Sequence, residues 1–516
     1  MQHSFPFFDY EPVTRSRSPQ SLVGEEAQAT DWPGRTEDTD ALDDERLAKA
    51  ELPRPARSRQ KPSPPAINRE PHWLIKRGHA LSYAGLFLFT VLLYFRPYDF
   101  YPSALTASIA FVLGGFTVGI FIISQLVLEG NLTARPREVN LVLLLVLAAL
   151  LSMPLALNRA EALEAFTRDF IKAIMMFIVM INVVRTELRL KGMLFLVLAV
   201  SFVLSVGALY DYRTGKFVVD GFRIAGTIGG MFRNPNDMAL HLVTIVPISI
   251  GLFFSTRNLL LKLPYVVCAV LMIAAIIISY SRGAFLGLFI SILVLAWKIG
   301  RRNRLAIATL VIAFGLAFLA LAPSSYMDRM ATIRNPSQEA SALSRRNVLF
   351  RSIRVAITNP LLGVGMGNFH IVSIKELVSH NAYTQVAADM GIPAMVVYIL
   401  FIITPFKQLR RIERETSVSR RVSKYYYLAV GLQASLVGYM VSSFFGAVAY
   451  QYYIYYLVGY AICLRRIYAV DPDVTKEVAA GIKDRAPGDD ANDGAREEVG
   501  ATSRATSASA LGWRDS

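Results

Sequence analysis

The chain has 516 residues, is 53% hydrophobic and only 18% charged, and carries a formal net charge of +15 at pH 7. Its continuous apolar runs, several near the ~20 residues needed to cross a bilayer as a helix, exclude an ordinary soluble domain, and their lack of alternation excludes a β-barrel. In a soluble protein such a basic balance would suggest nucleic acid, but Lys and Arg collect in the cytoplasmic loops of membrane proteins, so no nucleic-acid partner is expected.

Residues 1–70, with stretches such as RPARSRQKPSPP, are rich in Pro, Ser, Arg, Asp and Glu. They bury too little apolar surface to fold and read as a disordered cytoplasmic tail. They hold no apolar segment of the kind a cleavable signal requires, so the first membrane helix is expected to act as an uncleaved signal.

From residue 75 to 468 the chain reads as an all-α polytopic membrane protein with about twelve transmembrane helices. The apolar spans are 80–96, 103–128, 138–157, 164–184, 190–210, 236–255, 260–280, 283–299, 304–322, 391–406, 425–444 and 447–465. An even count puts both tails on one side. The loops ARPRE (134–138), RTELRLK (185–191), TRNLLLK (256–262), KIGRRNR (298–304) and KQLRRIERETSVSRRVSK (407–424) are all basic, which makes that side cytoplasmic. Cys268 and Cys463 fall within apolar runs and read as packing residues. Residues 470–516, including DRAPGDDANDGAREEVG, form a second disordered tail on the cytoplasmic side.

The opposite side carries Arg213, Arg223, Arg233, Arg282, Arg345 and Arg346, against the usual bias. For any one of them a solvated residue of a long translocated loop is as good an explanation as function. Arg282 is different, because IIISYSRGAFLGLF is apolar on both sides of it. Such an arginine lines a cavity or pairs with negative charge, so the functional reading outweighs the structural one there. In the segment 211–239, Asn234-Pro235 breaks helix and Asn236 or Asp237 is expected to cap the following span, a structural role that leaves the arginines and GTIGG unexplained.

The longest external loop covers 323–390. SALSRRNVLFRSIRVAIT reads as a helix with Leu343, Leu349, Ile353 and Ile357 on an apolar side, suited to a membrane or to the bundle. NPLLGVGMGNF ends it with Pro and Gly turns; its spacing is not GxGxxG and no P-loop lysine follows. SHNAYTQVAADMGIP (379–393) then enters the next span. As a helix it would set His380, Tyr383 and Thr384 one turn apart. A lone His is more often a structural hydrogen-bonding group, but His380 closes an arginine-bearing face where a neutral imidazole can act as a base. Asn381 and Asp389 have a structural reading, orienting or capping this helix. Guanidinium groups grip phosphate oxygens in bidentate fashion at any physiological pH. Together with a base and no metal-ligand cluster, they suggest capture of a lipid-linked phosphate or pyrophosphate and activation of an acceptor hydroxyl.

RNPND (233–237), SRGA (281–284), SRR followed by PLLGVGMGNF (344–369) and HNAYTQVAADMGIP (380–393) resemble the O-antigen ligase superfamily, which includes polysaccharide polymerases and protein O-oligosaccharyltransferases. The resemblance runs from about residue 200 to 465. It implies a GT-C-like glycosyltransferase with a large periplasmic loop, in a bacterial inner membrane. It also implies an undecaprenyl-pyrophosphate-linked glycan donor, a glycan, lipid A-core or protein acceptor, surrounding membrane lipids, and inverting transfer without metal or other cofactor. Through the matching motifs, Arg282 corresponds to a donor-pyrophosphate arginine and His380 to the base. Arg345 or Arg346, with Arg345 favoured, corresponds to the loop arginine; Arg223 and Arg233 are weaker members of the phosphate pocket. Asp389 stands where many members have Glu, and Gly391-Ile392-Pro393-Ala394 replaces a more Gly-rich ending, which leaves ligase and polymerase both open. A transporter or flippase for a lipid-linked glycan, or a membrane scaffold, is the alternative from another class; clustering of the polar residues on one face and the absence of a visible repeat favour the enzyme.

Overall fold

A computed structural model describes residues 79–95, 104–216, 223–226, 230–300, 304–305, 312, 340–417, 423–472 and 474. The two tails, the span 304–322 and the loop segment 323–339 lie wholly or mostly outside the described residues. The described residues form a helical bundle: α1 (Ala80–Phe95), α2 (Ala104–Glu129), α3 (Arg137–Ser152), α4 (Arg159–Ala165), α5 (Ile171–Val183), α6 (Glu187–Arg213), α7 (Pro235–Ser255), α8 (Leu259–Ile278), α9 (Arg282–Gly300), α10 (Ala340–Thr358), α11 (Ala382–Met390), α12 (Ile392–Thr416), α13 (Ser423–Ser442) and α14 (Tyr452–Val470).

Eight helices among the described residues are long and apolar enough to cross a membrane, in α2, α3, α6 to α9, α12 and α13. The other expected spans differ for local reasons. α1 has only 16 residues. The 164–184 run is divided by a π-helical turn at Phe166–Phe170, leaving 13 residues in α5. α14 carries tyrosines and the Arg465–Arg466 pair, which lower its hydropathy, yet it is buried along most of its length. It is a core helix of the bundle. Tyr456 pairs there with Thr90 at 3.0 Å and Tyr455 donates to the Ala449 carbonyl at 3.1 Å, as polar groups out of water tend to do.

Close helix approach depends on small residues, because lipid tails offer no hydrophobic drive between helices. A Cβ on Gly251 of α7 would lie 2.8 Å from the Tyr427 carbonyl oxygen of α13, and one on Gly431 of α13 would lie 2.8 Å from that of Pro247. The outward sides of α2 and α3 instead expose Phe111, Phe116, Leu147 and Leu150, as lipid-facing helices do.

Ion pairs tie one end of the bundle together: Lys298–Glu413 at 2.5 Å, Lys424–Glu187 at 2.6 Å, Arg465–Glu138 at 3.3 Å, and Arg185 with Glu129. This gathers the basic loops at 134–138, 185–191, 298–304 and 407–424 at a single end, as the charge pattern requires. The starts of α7, α9, α12 and α14, and the ends of α3, α8 and α13, meet at the other end.

Gly391 links α11 to α12 with φ +93°, and a Cβ there would lie 2.2 Å from the Leu361 carbonyl oxygen. Gly391→Ala is therefore expected to destabilise the fold by about 1–3 kcal/mol. The check is thermal unfolding in detergent, with Gly115→Ala as reference because a Cβ there meets nothing within 4 Å. Equal midpoints for the two variants would refute the expectation.

Candidate functional site

His380 does not lie within the helix expected for it. Asn381 caps α11: its side-chain oxygen accepts from the amides of Tyr383 at 2.9 Å and Thr384 at 3.0 Å. His380 precedes that cap with φ +47°, a left-handed conformation uncommon for any residue but glycine. Its neighbours pin it there. The Ser379 hydroxyl pairs with that of Thr384 at 2.8 Å, and Ser379 and Asn381 are both buried. Burial, then the charge of Arg345, lowers the His380 pKa below its ordinary value of 6.5. The imidazole is thus neutral at pH 7.

Arg345 and Arg346, equivalent in the sequence, separate here. Arg345 sits in α10 close enough for its charge to act on His380. Both arginines are exposed, with Arg346 about 100° further round the helix. The apolar side read from the sequence, suited to a membrane or to the bundle, is not the side of α10 that packs on the protein. Val348 and Val355 pack with Val364, Phe369 and Ala388, whereas Ile353 and Ile357 are exposed.

Asp389 and Gly391 hold the base of the site. The buried Asp389 carboxylate accepts from the Phe369 amide at 3.0 Å and from the Tyr450 hydroxyl at 3.0 Å. It thereby ties the 365–369 turn and the start of α14 to α11. Its short reach is sufficient because Gly363, Gly365 and Gly367 all adopt positive φ and bring the backbone close. Burial pushes its pKa up to about 7, against the opposing effect of those hydrogen bonds. Between its ordinary value of 3.8 and about 7, the folded chain keeps a proton that the unfolded chain releases. Stability from this group therefore declines as pH rises through that window. Asp389→Asn removes the titration, so wild-type stability relative to this variant should fall from pH 4 to 7. Parallel stability curves in a thermal-shift series would contradict it.

Arg282 is the first residue of α9, at the break after α8, rather than within a continuous helix. Its guanidinium and the helix N-terminus both favour an anion. The turn before it is strained, with Tyr280 at φ +51°. Arg223, only 4% exposed, braces that turn: its Nε donates to the Ser279 carbonyl at 3.1 Å and its Nη2 to Asn236 Oδ1 at 2.8 Å. Arg233 is exposed. Asp237 does not cap α7. Asn234 does, accepting from the Asn236 amide at 2.9 Å, because Pro235 occupies the first helical position and Asp237 is already inside the turn. Asp237 instead faces Tyr453.

The arginine turn and the histidine are joined through the end of α13. The Ser442 hydroxyl donates to the Gly283 carbonyl at 3.4 Å, and a Cβ on Gly283 would lie 2.6 Å from that of Phe445. Next door, Ser443 donates to the Tyr383 hydroxyl at 3.3 Å, which donates to the Met440 carbonyl at 2.9 Å. Arg282 and His380 thus flank one short segment, 440–445. Sequence reading missed this bridge, since serines at a helix end carry no specific signal. It also missed the pairing of His370 with Glu161 at 3.3 Å, which fastens the 365–370 turn to α4. Among the described residues no group of three His, Cys, Asp or Glu side chains converges as a metal site.

The helices and their apolar, outward-facing surfaces define a multi-pass membrane protein with a polar, arginine-bearing site at one end. Residues 267–399 match the O-antigen ligase family (Wzy_C), a match that supports kinship with the O-antigen ligase and polymerase superfamily. The matched segment includes Arg282, Arg345, Arg346, His380, Asn381, Asp389 and Gly391; Arg223, Arg233 and Asp237 precede it. No curated protein matches the chain.

Proposed function

We propose that this protein transfers a glycan from a polyprenyl-pyrophosphate donor, of the undecaprenyl type, to an acceptor hydroxyl during cell-surface polysaccharide assembly. The observation that carries this reading is the placing of a neutral, conformationally pinned His380 beside Arg345, one short segment away from Arg282. The acceptor oxygen attacks the anomeric carbon while the bond to pyrophosphate breaks. His380 takes the hydroxyl proton, and the departing pyrophosphate keeps the bonding electron pair on its lipid. Arg282, with Arg223 bracing its turn, and Arg345 stabilise that charge, the task a metal ion performs elsewhere. A single displacement of this kind inverts the anomeric centre. The basic end of the bundle is then the cytoplasmic end of a bacterial inner-membrane protein, with both tails on that side. The site faces the periplasm.

The test is transfer in vitro from a defined undecaprenyl-pyrophosphate glycan, with lipid A-core, a second glycan-lipid and a protein compared as acceptors. The productive acceptor distinguishes ligase, polymerase and protein O-oligosaccharyltransferase. Solute or lipid-linked glycan movement without transfer to any acceptor would replace the enzyme reading with a transporter.

Arg345 and Arg346 should differ in one measurement. Arg345→Ala removes a positive charge that depresses the His380 pKa, so the acid limb of the pH–rate profile should move to higher pH. Arg346→Ala should leave that limb in place. A shift in both variants, or in neither, would separate Arg345 from the base.

A further inference from the structure

α10 has a second, unused side. Phe350 is 62% exposed, Ile353 38% and Ile357 67%, and Leu361 just beyond the helix is 73% exposed. Their i, i+3, i+7, i+11 spacing makes one stripe, opposite Val348 and Val355. Arg346 and Arg354, both exposed, flank it.

Backbone bonds fix the level of this stripe. The Ile392 amide, in the first turn of the membrane-length helix α12, donates to the Pro360 carbonyl at 2.7 Å. The Leu157 amide, two residues past the span Arg137–Leu155, donates to the Val364 carbonyl at 3.1 Å. Residues 360–364 are therefore stitched to the ends of two helices of membrane length. α11 reaches from the end of α13, through Tyr383, to the start of α12. It crosses the tops of two neighbouring helices. α10 runs beside it in the same sense, with Arg345 near His380 and Pro360 near Ile392. α10 thus lies across the ends of those helices, near the exposed Leu155 and Leu157.

We propose that α10 is an interfacial helix. Its Phe350–Ile353–Ile357–Leu361 stripe enters the headgroup–acyl boundary of the leaflet on the His380 side, and Arg346 and Arg354 pair with lipid phosphates. The arginine doublet then divides its work: Arg345 faces the imidazole and Arg346 the bilayer. The inference rests on the chain spanning a membrane, not on the proposed chemistry.

Spin labels test it on the full chain in nanodiscs of phosphatidylethanolamine and phosphatidylglycerol. Ile353→Cys and Ile357→Cys are labelled, with Leu151→Cys as a lipid-facing reference and Thr214→Cys as a water-facing one. The signal of the native Cys268 and Cys463 is subtracted using the parent protein. Collision with oxygen relative to a water-soluble nickel chelate should be several-fold higher at 353 and 357 than at 214, and close to that at 151. Ratios like that of Thr214→Cys would show the stripe in water. Shielding from both reagents would show it covered by protein. Either result overturns the proposal. Phe350→Cys repeats the measurement if one variant fails to fold. The same readings in a His380→Ala background keep a failure here distinct from a failure of the transferase reading.

Discussion

His380→Ala is expected to lower glycan transfer by roughly 10²–10⁴-fold, the usual contribution of a positioned general base, while membrane insertion and thermal stability change little. The imidazole lies outside the spanning helices and the capping of α11 belongs to Asn381, so its loss leaves the fold supported. Because burial and then Arg345 hold its pKa below 6.5, the wild-type rate should be flat around neutral pH and fall only in more acidic buffer. His380→Gly separates two explanations for a loss. Glycine accepts φ +47° without strain, whereas alanine does not. Equal losses in both variants assign the effect to the missing base. Recovery in the glycine variant would assign it to the backbone and remove His380 from the chemistry, and full activity in both would end the proposed mechanism.

Arg282→Ala should cost roughly 10²–10³-fold, mainly in kcat, if its guanidinium meets charge that grows as the pyrophosphate leaves. Arg282→Lys keeps a charge but loses the planar fork, so an intermediate loss is expected. The position at the first residue of α9 makes the prediction sharp, because the helix terminus remains to hold part of the anion when the side chain is gone. Steady-state kinetics with a defined lipid-linked donor gives the answer. A rise in KM with unchanged kcat would reduce Arg282 to ground-state donor binding, and unchanged kinetics would exclude it from the site. Arg223→Ala makes a poorer probe, since Arg223 also holds the Ser279 turn and Asn236.

The parts of this molecule legible in its sequence are those that depend on local or averaged properties. Apolar runs of bilayer length, the basic loops now gathered at one end and the Asn381 cap all follow from residue types at fixed spacing. The O-antigen ligase motifs were legible in the same way. Misreadings arose where two local solutions compete. Asn234 and Asp237 are both capping residues, and the position of Pro235 decides between them. The run 164–184 has membrane-like composition, but a π turn interrupts it. The run 447–465 read as one more apolar span of near-membrane length; that its helix, α14, is buried among the others was not legible there.

From residue types alone follow a helical membrane protein, its charge asymmetry, its likeness to the O-antigen ligase family and the short set of residues that deserved attention. Tertiary structure alone decided which of these residues meet. Arg345 and Arg346 are indistinguishable as a doublet and both are exposed, but the first lies where its charge acts on His380. Arg282 and His380, 98 positions apart in the chain, flank one segment because Gly283 admits Phe445 and Ser443 reaches Tyr383. The physical reason is that hydropathy and capping act over a few residues, whereas a site depends on side chains converging from several helices, which only their packing fixes.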